Sequence, residues 1–506
     1  MAASHDHPGK SLTPREVLHM VDPAVNPASS SQAASEIRSR NLPPATYRDL
    51  PEPLPMKKVI GPSVLLLAGS IGSGEFVLWP YISTQTGLAL VWLATIGILT
   101  QYFLNMEITR YTLATGETAV TGFTRLWKPW SWLFIIMAVV PWMWPGWATG
   151  SSTALTYAFG LSEDAVIPIT IASLVLIGII LTISPVVYQT VEKIQFFLVA
   201  LIVLFMIYIV VGLLDGQTWG ALVAGFTTEV PKIPESIGKL PIALLLGAIA
   251  FAGAGGVMNL AQSNWVRDKG LGMGAHLPKI VSPITGQETT QAAIGHFFRQ
   301  DEANMRRWRG WWKVADREQF ITFYVLGLFA ILLFMMLAYM YVGVGSTAQN
   351  FDFVRLLGET LNERVGPWVG PAFWFTGVVV LLSTNLTVLD MIGRIVADIA
   401  KTNWLRDSRT WTESRLYFLV VWLMVIFGSI ILLSGVSQPL LLLVIASALN
   451  GLVMFVYSVL LIQLNRCMLP RAIGLDGARY VAILWAVLFY GGFSVYLLIN
   501  QFGKLF

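Results

Sequence analysis

Residues 61–81, GPSVLLLAGSIGSGEFVLWPY, read as an apolar membrane helix interrupted at its centre by Gly69, Gly72 and Gly74, with a carboxylate, Glu75, just after the interruption. Glycine frees the backbone, and lipid tolerates freed backbone groups only where protein or a polar cavity covers them. A glycine-interrupted apolar segment carrying an acid therefore predicts a site inside a helix bundle, where carbonyls and a side chain hold a solute.

The rest of the chain supports a bundle. Of its 506 residues 55% are hydrophobic and 12% charged, against about 25% charged in a soluble protein, so it reads as an all-α integral membrane protein. The single cysteine, Cys467, excludes an intrachain disulfide and a thiolate metal cluster. Residues 1–57 are polar and rich in Pro, Ser and Ala, and read as a disordered cytoplasmic tail; no apolar stretch there resembles a cleaved signal. A pI of about 9.0 is explained by basic loops facing the cytoplasm, and no nucleic-acid partner is expected.

With about 20 apolar residues needed to cross a bilayer, eleven spans are expected: 58–84, 87–113, 130–159, 166–184, 188–214, 241–265, 318–345, 369–400, 411–434, 438–466 and 478–501. Placing the N-terminus inside puts 28 Lys and Arg on the cytoplasmic side and 5 outside. This bias orients the chain, with its C-terminus outside. The long connection 266–317 is then a cytoplasmic loop. Its stretch 297–313, FFRQDEANMRRWRGWWK, interleaves Trp with Arg and Lys and reads as a segment lying in the membrane interface.

Span six, PIALLLGAIAFAGAGGVMNLAQSNW, repeats the opening pattern. Its apolar run breaks at Gly253, Gly255 and Gly256 and turns polar at Asn259, Gln262, Ser263 and Asn264. Spans one and six each open a group of five and cross in opposite directions. The expected architecture is thus a five-plus-five inverted repeat with broken helices one and six: repeat one at 58–214, repeat two at 241–466, and helix eleven at 478–501. Matched interruptions in two inverted halves point to a secondary transporter. Tight small-residue helix packing is the alternative reading of the same glycines.

Several side chains are candidates for substrate contact. Glu75 reads as a cation ligand or proton carrier, or else as an interhelical clamp. Met258, Asn259 and Gln262 follow the second break; amide oxygens suit hard cations and a thioether suits softer ones, and packing is the alternative for each. Asn385, about 16 Å along span eight from Trp374 on a regular helix, falls near mid-depth, as does Asn450 beside Gly451. Asp390 and Arg394, four apart on one helix face, form a candidate inner gate. Glu107 with Arg110, and Glu192 with Lys193, read as helix-end pairs. No histidine lies inside a span, which excludes a His-based metal site or relay there.

Beyond these patterns, GlyPro at 61–62, the interrupted first helix, GlnTyr at 101–102, AlaThrGlyGlu at 114–117, TyrGlnThrValGluLys at 188–193 and the glycine-rich sixth span resemble the Nramp divalent-metal transporters over roughly 58–466. The resemblance implies the fold of the amino acid–polyamine–organocation superfamily and proton-linked uptake of Mn or Fe. The family's first-helix motif is Asp-Pro-Gly-Asn, where this chain has Gly72, Ser73, Gly74 and Glu75. Its sixth-helix motif is Met-Pro-His-Asn, where this chain keeps Met258 and has Asn259 in place of the Pro. The ligand Asp is replaced by Gly72, and Glu75 supplies the charge one helical turn on.

The expected function is alternating-access transport of a divalent metal ion, tilted by one hard carboxylate toward Mg or Mn over Fe, with protons as a second partner. The location expected is the plasma (inner) membrane. An amino-acid or other organic-solute symporter of the same fold is the alternative, with Glu75 binding the substrate amine. No nucleophile–base pair or His–acid cluster at membrane depth suggests an enzyme, and no resident cofactor is expected. Nothing in the sequence speaks to oligomeric state.

Overall fold

The computed structural model describes residues 36–37, 41–282, 292–346, 348 and 351–502. Among the described residues, eight helices are long and apolar enough to cross a membrane. Three further segments expected as spans depart from a plain apolar helix. Span two is Val91–Thr115 and carries polar side chains. Span three is two helices, Trp130–Val139 and Gly146–Phe159, separated where Pro141 and Pro145 remove backbone donors. Span six is Ile242–Ala250 followed by Gly256–Lys269.

The two interruptions predicted from glycines take different forms. Span one stays helical: Pro62–Ser70 passes into π-helical turns over Ile71–Leu78 and resumes as Trp79–Thr86. Gly72 and Gly74 lie within the π turns, whereas Gly69 precedes them on the α-helix. Such π segments widen a helix and recur at functional sites. Span six unwinds outright: Gly253 and Gly255 have φ of 113° and 72°, a left-handed region that strains other residues.

Spans one and six occupy the interior. Span one packs against spans five, seven and eight, and the first half of span six packs against span ten. Spans four, five and nine turn Leu176, Ile179, Phe197, Leu204, Leu423 and Ile430 outward, the apolar belt of a bilayer-embedded protein. Span eight, Val369–Asn403, lies against span three and links the interior to this outer layer.

Two expectations about the basic face need correction. Residues 41–57 are not disordered: Leu42, Ala45 and Leu50 are buried, and Ala45–Tyr47 pairs in parallel with His296–Phe297 and antiparallel with Glu36–Ile37. This segment runs as a strap across the basic face; residues 1–35 and 38–40 of the expected tail lie outside the described residues. The Trp-rich stretch is not a membrane-surface element either. It belongs to a helix, Glu302–Gln319, that continues through a π turn at Phe320–Val325 into span seven, Leu326–Tyr341. Its Trp308 and Trp311 are buried against protein, Trp311 donating to the Pro51 carbonyl of the strap at 2.8 Å. Residues 283–291 of the expected loop lie outside the described residues.

Candidate functional site

Glu75 lies in the π turns of span one, fully buried, with neither carboxylate oxygen hydrogen-bonded. The polar groups that face it are the Ser70 hydroxyl and the Gly253 backbone. The two interruptions therefore meet at this carboxylate. The approach is close: a Cβ on Gly74 would overlap the Phe251 carbonyl oxygen, and one on Gly72 the Thr384 hydroxyl. Gly69 gives the same close fit to the Met258 sulfur. Small-residue packing, the alternative reading of these three glycines, thus accounts for their positions, and Met258 is packed at this crossing. The Ala68 carbonyl, at the edge of the π segment, accepts from the Thr384 and Ser383 hydroxyls of span eight at 3.1 and 3.4 Å.

The break in span six is held by a residue of another span, the Gln of the GlnTyr pair at 101–102. Gln101 of span two donates from Nε2 to the carbonyls of Ala250 and Ala252 at 2.8 and 2.9 Å, and its Oε1 accepts from the Gly255 amide at 2.9 Å. One side-chain amide thereby satisfies three backbone groups released by the unwinding, as a non-aqueous interior requires. Asn450 of span ten holds the other side. Its Oδ1 accepts from the Trp142 indole at 2.9 Å and from the Val257 amide at 3.4 Å, and a Cβ on Gly256 would collide with it. Asn450 is thus a structural anchor of the break.

Asn259 donates to the Tyr457 hydroxyl at 2.7 Å and leaves its Oδ1 unpaired. Gln262 donates to Gln319 Oε1, and its own Oε1 is unpaired. Gln319 and the neighbouring Glu318 both accept from Ser63 at the start of span one. An aromatic wall completes the site: Trp142 stacks on Trp147 at 5.1 Å between centroids, and both lie against Phe251 at the break.

Asn385 meets this group only at its aromatic wall. It lines a cleft with Trp142, Trp144, Trp147, Val388 and Met424, between spans three, four, eight and nine. Its neighbour Thr384 is the residue that faces span one. One step along a helix turns a side chain by about 100°, so a depth argument alone could not choose between them.

Asp390 and Arg394 do pair, at 2.8 Å, but within a larger buried network. Arg394 also binds Asp268; Arg267 binds Asp268, Asp398 and Glu413 at 2.9, 2.6 and 2.6 Å; Trp265 and Tyr417 donate to Asp390. Two guanidinium groups and four carboxylates so tie together the basic-face ends of spans six, eight and nine. Glu192 bonds Lys269, which also donates to the Ile60 carbonyl at 2.7 Å. Among the described residues no group of three or more His, Cys, Asp and Glu side chains is placed to hold a metal ion. Any cation held at Glu75 would be held by one carboxylate together with amide, carbonyl or water oxygens.

No known family model matches the chain, and no curated sequence matches it. Solved structures do. The Eremococcus coleocola manganese transporter in complex with an aromatic bis-isothiourea substituted compound is 14% identical, covers 90% of this chain and 91% of its own, and superposes with a TM-score of 0.61. A mutant of that transporter is 13% identical over 87% of this chain and 88% of its own, with a TM-score of 0.60. MhsT in complex with L-phenylalanine is 14% identical over 87% and 97%, with a TM-score of 0.52. The chain has the fold of membrane transporters. At these identities the likeness speaks to fold and not to cargo.

Proposed function

We propose that this protein is a secondary active transporter that carries a cation across a plasma membrane by alternating access about spans one and six, with Glu75 as the cation-binding group. The observation that carries the reading is the Glu75 carboxylate, wholly buried where the two interruptions meet and without a partner for either oxygen. An ionised carboxylate at membrane depth costs at least a few kcal/mol, and a bound cation or a proton removes that cost. The cargo proposed is a hard divalent ion, Mn2+ or Mg2+. The unpaired oxygens of Glu75, Asn259 and Gln262 are the kind such ions take, and among the described residues no thiolate or imidazole is near to favour a softer one. The basic face is the cytoplasmic side in this reading, and the Asp390–Arg394 network is its inner gate.

A second reading has its own support. One carboxylate neutralises a monovalent ammonium fully, and the Trp142–Trp147–Phe251 wall offers the aromatic faces that ammonium groups prefer. Uptake by the full chain in proteoliposomes separates the two. Mn2+ or Mg2+ accumulation that Glu75→Gln lowers at least tenfold supports the metal reading. Saturable amino-acid counterflow with no metal flux replaces it, and no Glu75-dependent flux of either kind sinks both.

A further inference from the structure

Several of the buried polar atoms that lack partners line one face of span two and the side chains beside it. Span two carries Gln101, Asn105 and Thr109 at intervals of four residues, and side chains so spaced share a helix face. Together they mark a polar file about 12 Å long. Gln101 stands at its head, beside the Gly253 backbone that faces Glu75. Around it are Asn259 at 3.4 Å, the Tyr457 hydroxyl that Asn259 meets at 2.7 Å, and the Tyr490 hydroxyl of span eleven. One turn on, Asn105 is fully buried and neither its amide nitrogen nor its oxygen is bonded. A further turn on, the Thr109 hydroxyl is buried and unbonded, as is that of Tyr490. Toward the basic face, Asn465 donates to the Glu107 carbonyl at 2.8 Å and leaves its Oδ1 unpaired. Glu107 bonds Arg110 and lies 4.0 Å from Arg479, which binds the solvent-reaching Asp316 at 2.5 Å.

Each unpaired buried polar group costs about 1–3 kcal/mol, and proteins satisfy nearly all of them. Packing alone would place apolar residues on this stripe, as it places Leu104 and Ile108 on the same helix. Instead the stripe carries two amides and a hydroxyl, each able to donate and to accept, and chains of such groups polarise one another. We propose that the file between spans two, six, ten and eleven is a proton route joining Glu75 to the basic face.

The proposal rests on Glu75 as the cation-binding group. When a cation binds, the Glu75 O–H bond breaks and its proton leaves along the file to the basic face. Once the cation has left to that same side, the carboxylate forms a new O–H bond with a proton that enters through the opening to the opposite side, so one proton crosses with each cation. One carboxylate charge is neutralised in either state, so no other reactant is consumed. Hydroxyls of Tyr457, Tyr490 and Thr109 pass protons, and Gln101, Asn105 and Asn259 orient the hydrogen bonds between them.

The test uses the full chain in proteoliposomes with a pH-sensitive dye inside and a K+ diffusion potential across the membrane, with and without external Mn2+. Wild type should acidify the lumen, and Glu75→Gln should not. Asn105→Leu and Thr109→Val should each slow acidification at least tenfold, while Asn105→Ser, which puts a hydroxyl in place of the amide and adds space, should retain most of it. Thermal melting of each purified variant, with Mn2+ as ligand, reads folding and binding separately. Thr109→Val is near-isosteric and decides the matter if Asn105→Leu does not fold. Folded Thr109→Val protein with wild-type proton movement overturns the route. So does wild-type Mn2+ uptake without any proton movement, although transport itself then stands. Proton movement that depends on Asn105 and Thr109 without Mn2+ uptake keeps the route and removes the metal cargo.

Discussion

Gly74 shows how one residue decides whether span one can pass span six. Its hydrogen stands where a methyl group would overlap the Phe251 carbonyl, and a backbone carbonyl at a helix break cannot rotate aside. Overpacking of this kind costs typically about 1–3 kcal/mol and more when backbone must shift. Gly74→Ala should therefore lower the thermal midpoint of the purified protein and abolish transport. Gly451 is the internal comparison. A Cβ there meets only Ala250 at 3.9 Å, an ordinary contact, and Ala in a helix interior gains about 0.5–1 kcal/mol over Gly. Gly451→Ala should be neutral or stabilising in the same melting assay. Equal losses at the two positions would mean that close approach is not what span one requires of Gly74.

The break in span six is an element-scale problem: three backbone groups leave the helical ladder, and one side chain from another span takes them all. Gln101→Leu keeps the approximate volume but leaves the Ala250 and Ala252 carbonyls and the Gly255 amide unpaired. At roughly 1–3 kcal/mol for each orphaned group, it should be the most destabilising single change among the polar residues of span two, read as a fall in folded yield and melting temperature. Gln101→Glu, which cannot donate to the two carbonyls when ionised, should recover little. The breaks themselves were legible, because glycine clusters in apolar runs are a local signal. So was Glu75, because an acid in such a run is rare. Gln101 announced only that an amide lay in an apolar helix; what it binds comes from residues 149 to 154 positions away, which no local pattern encodes. The form of the first interruption was also hidden, since glycines serve a π turn with close neighbours as well as an unwound strand. Asn385 and Asn450 were found by depth, and depth does not fix azimuth. Asn450 proved an anchor of the break, whereas Asn385 lines a cleft beside the Trp142–Trp147 wall.

At the scale of the whole molecule, the basic face is closed by the strap at 41–57. Its order was invisible in composition, because Leu42, Ala45 and Leu50 are too few to stand out in a polar tail. Two titratable groups outside the spans secure it. Glu117 accepts from Arg125 at 2.5 and 2.8 Å, from the Gly295 amide at 2.9 Å and from Tyr111 at 2.8 Å; Arg125 in turn donates to the Pro43 carbonyl. Burial alone would raise the Glu117 carboxyl, but the Arg125 charge and these bonds outweigh it and hold it below 4.5. Its stabilising contribution is thus intact at neutral pH and is lost only as the pH falls below that ordinary value. His296 behaves differently. It bonds Thr46 of the strap at 2.8 Å, and burial, then the Arg48 and His276 charges, lower its pKa from 6.5. The folded state therefore resists a proton that the unfolded segment takes up below 6.5, and the strap loses stability as the pH falls through that window. The hydrogen-exchange protection factors of residues 41–58, taken relative to the intrinsic rate at each pH, should fall between pH 7.5 and pH 5.5 while those of the interior of span eight hold. His296→Asn, which cannot titrate, should flatten that dependence, leaving only the loss below pH 4.5 that Glu117 sets. Protection that falls equally in both proteins across the upper window would place the sensitivity elsewhere than His296.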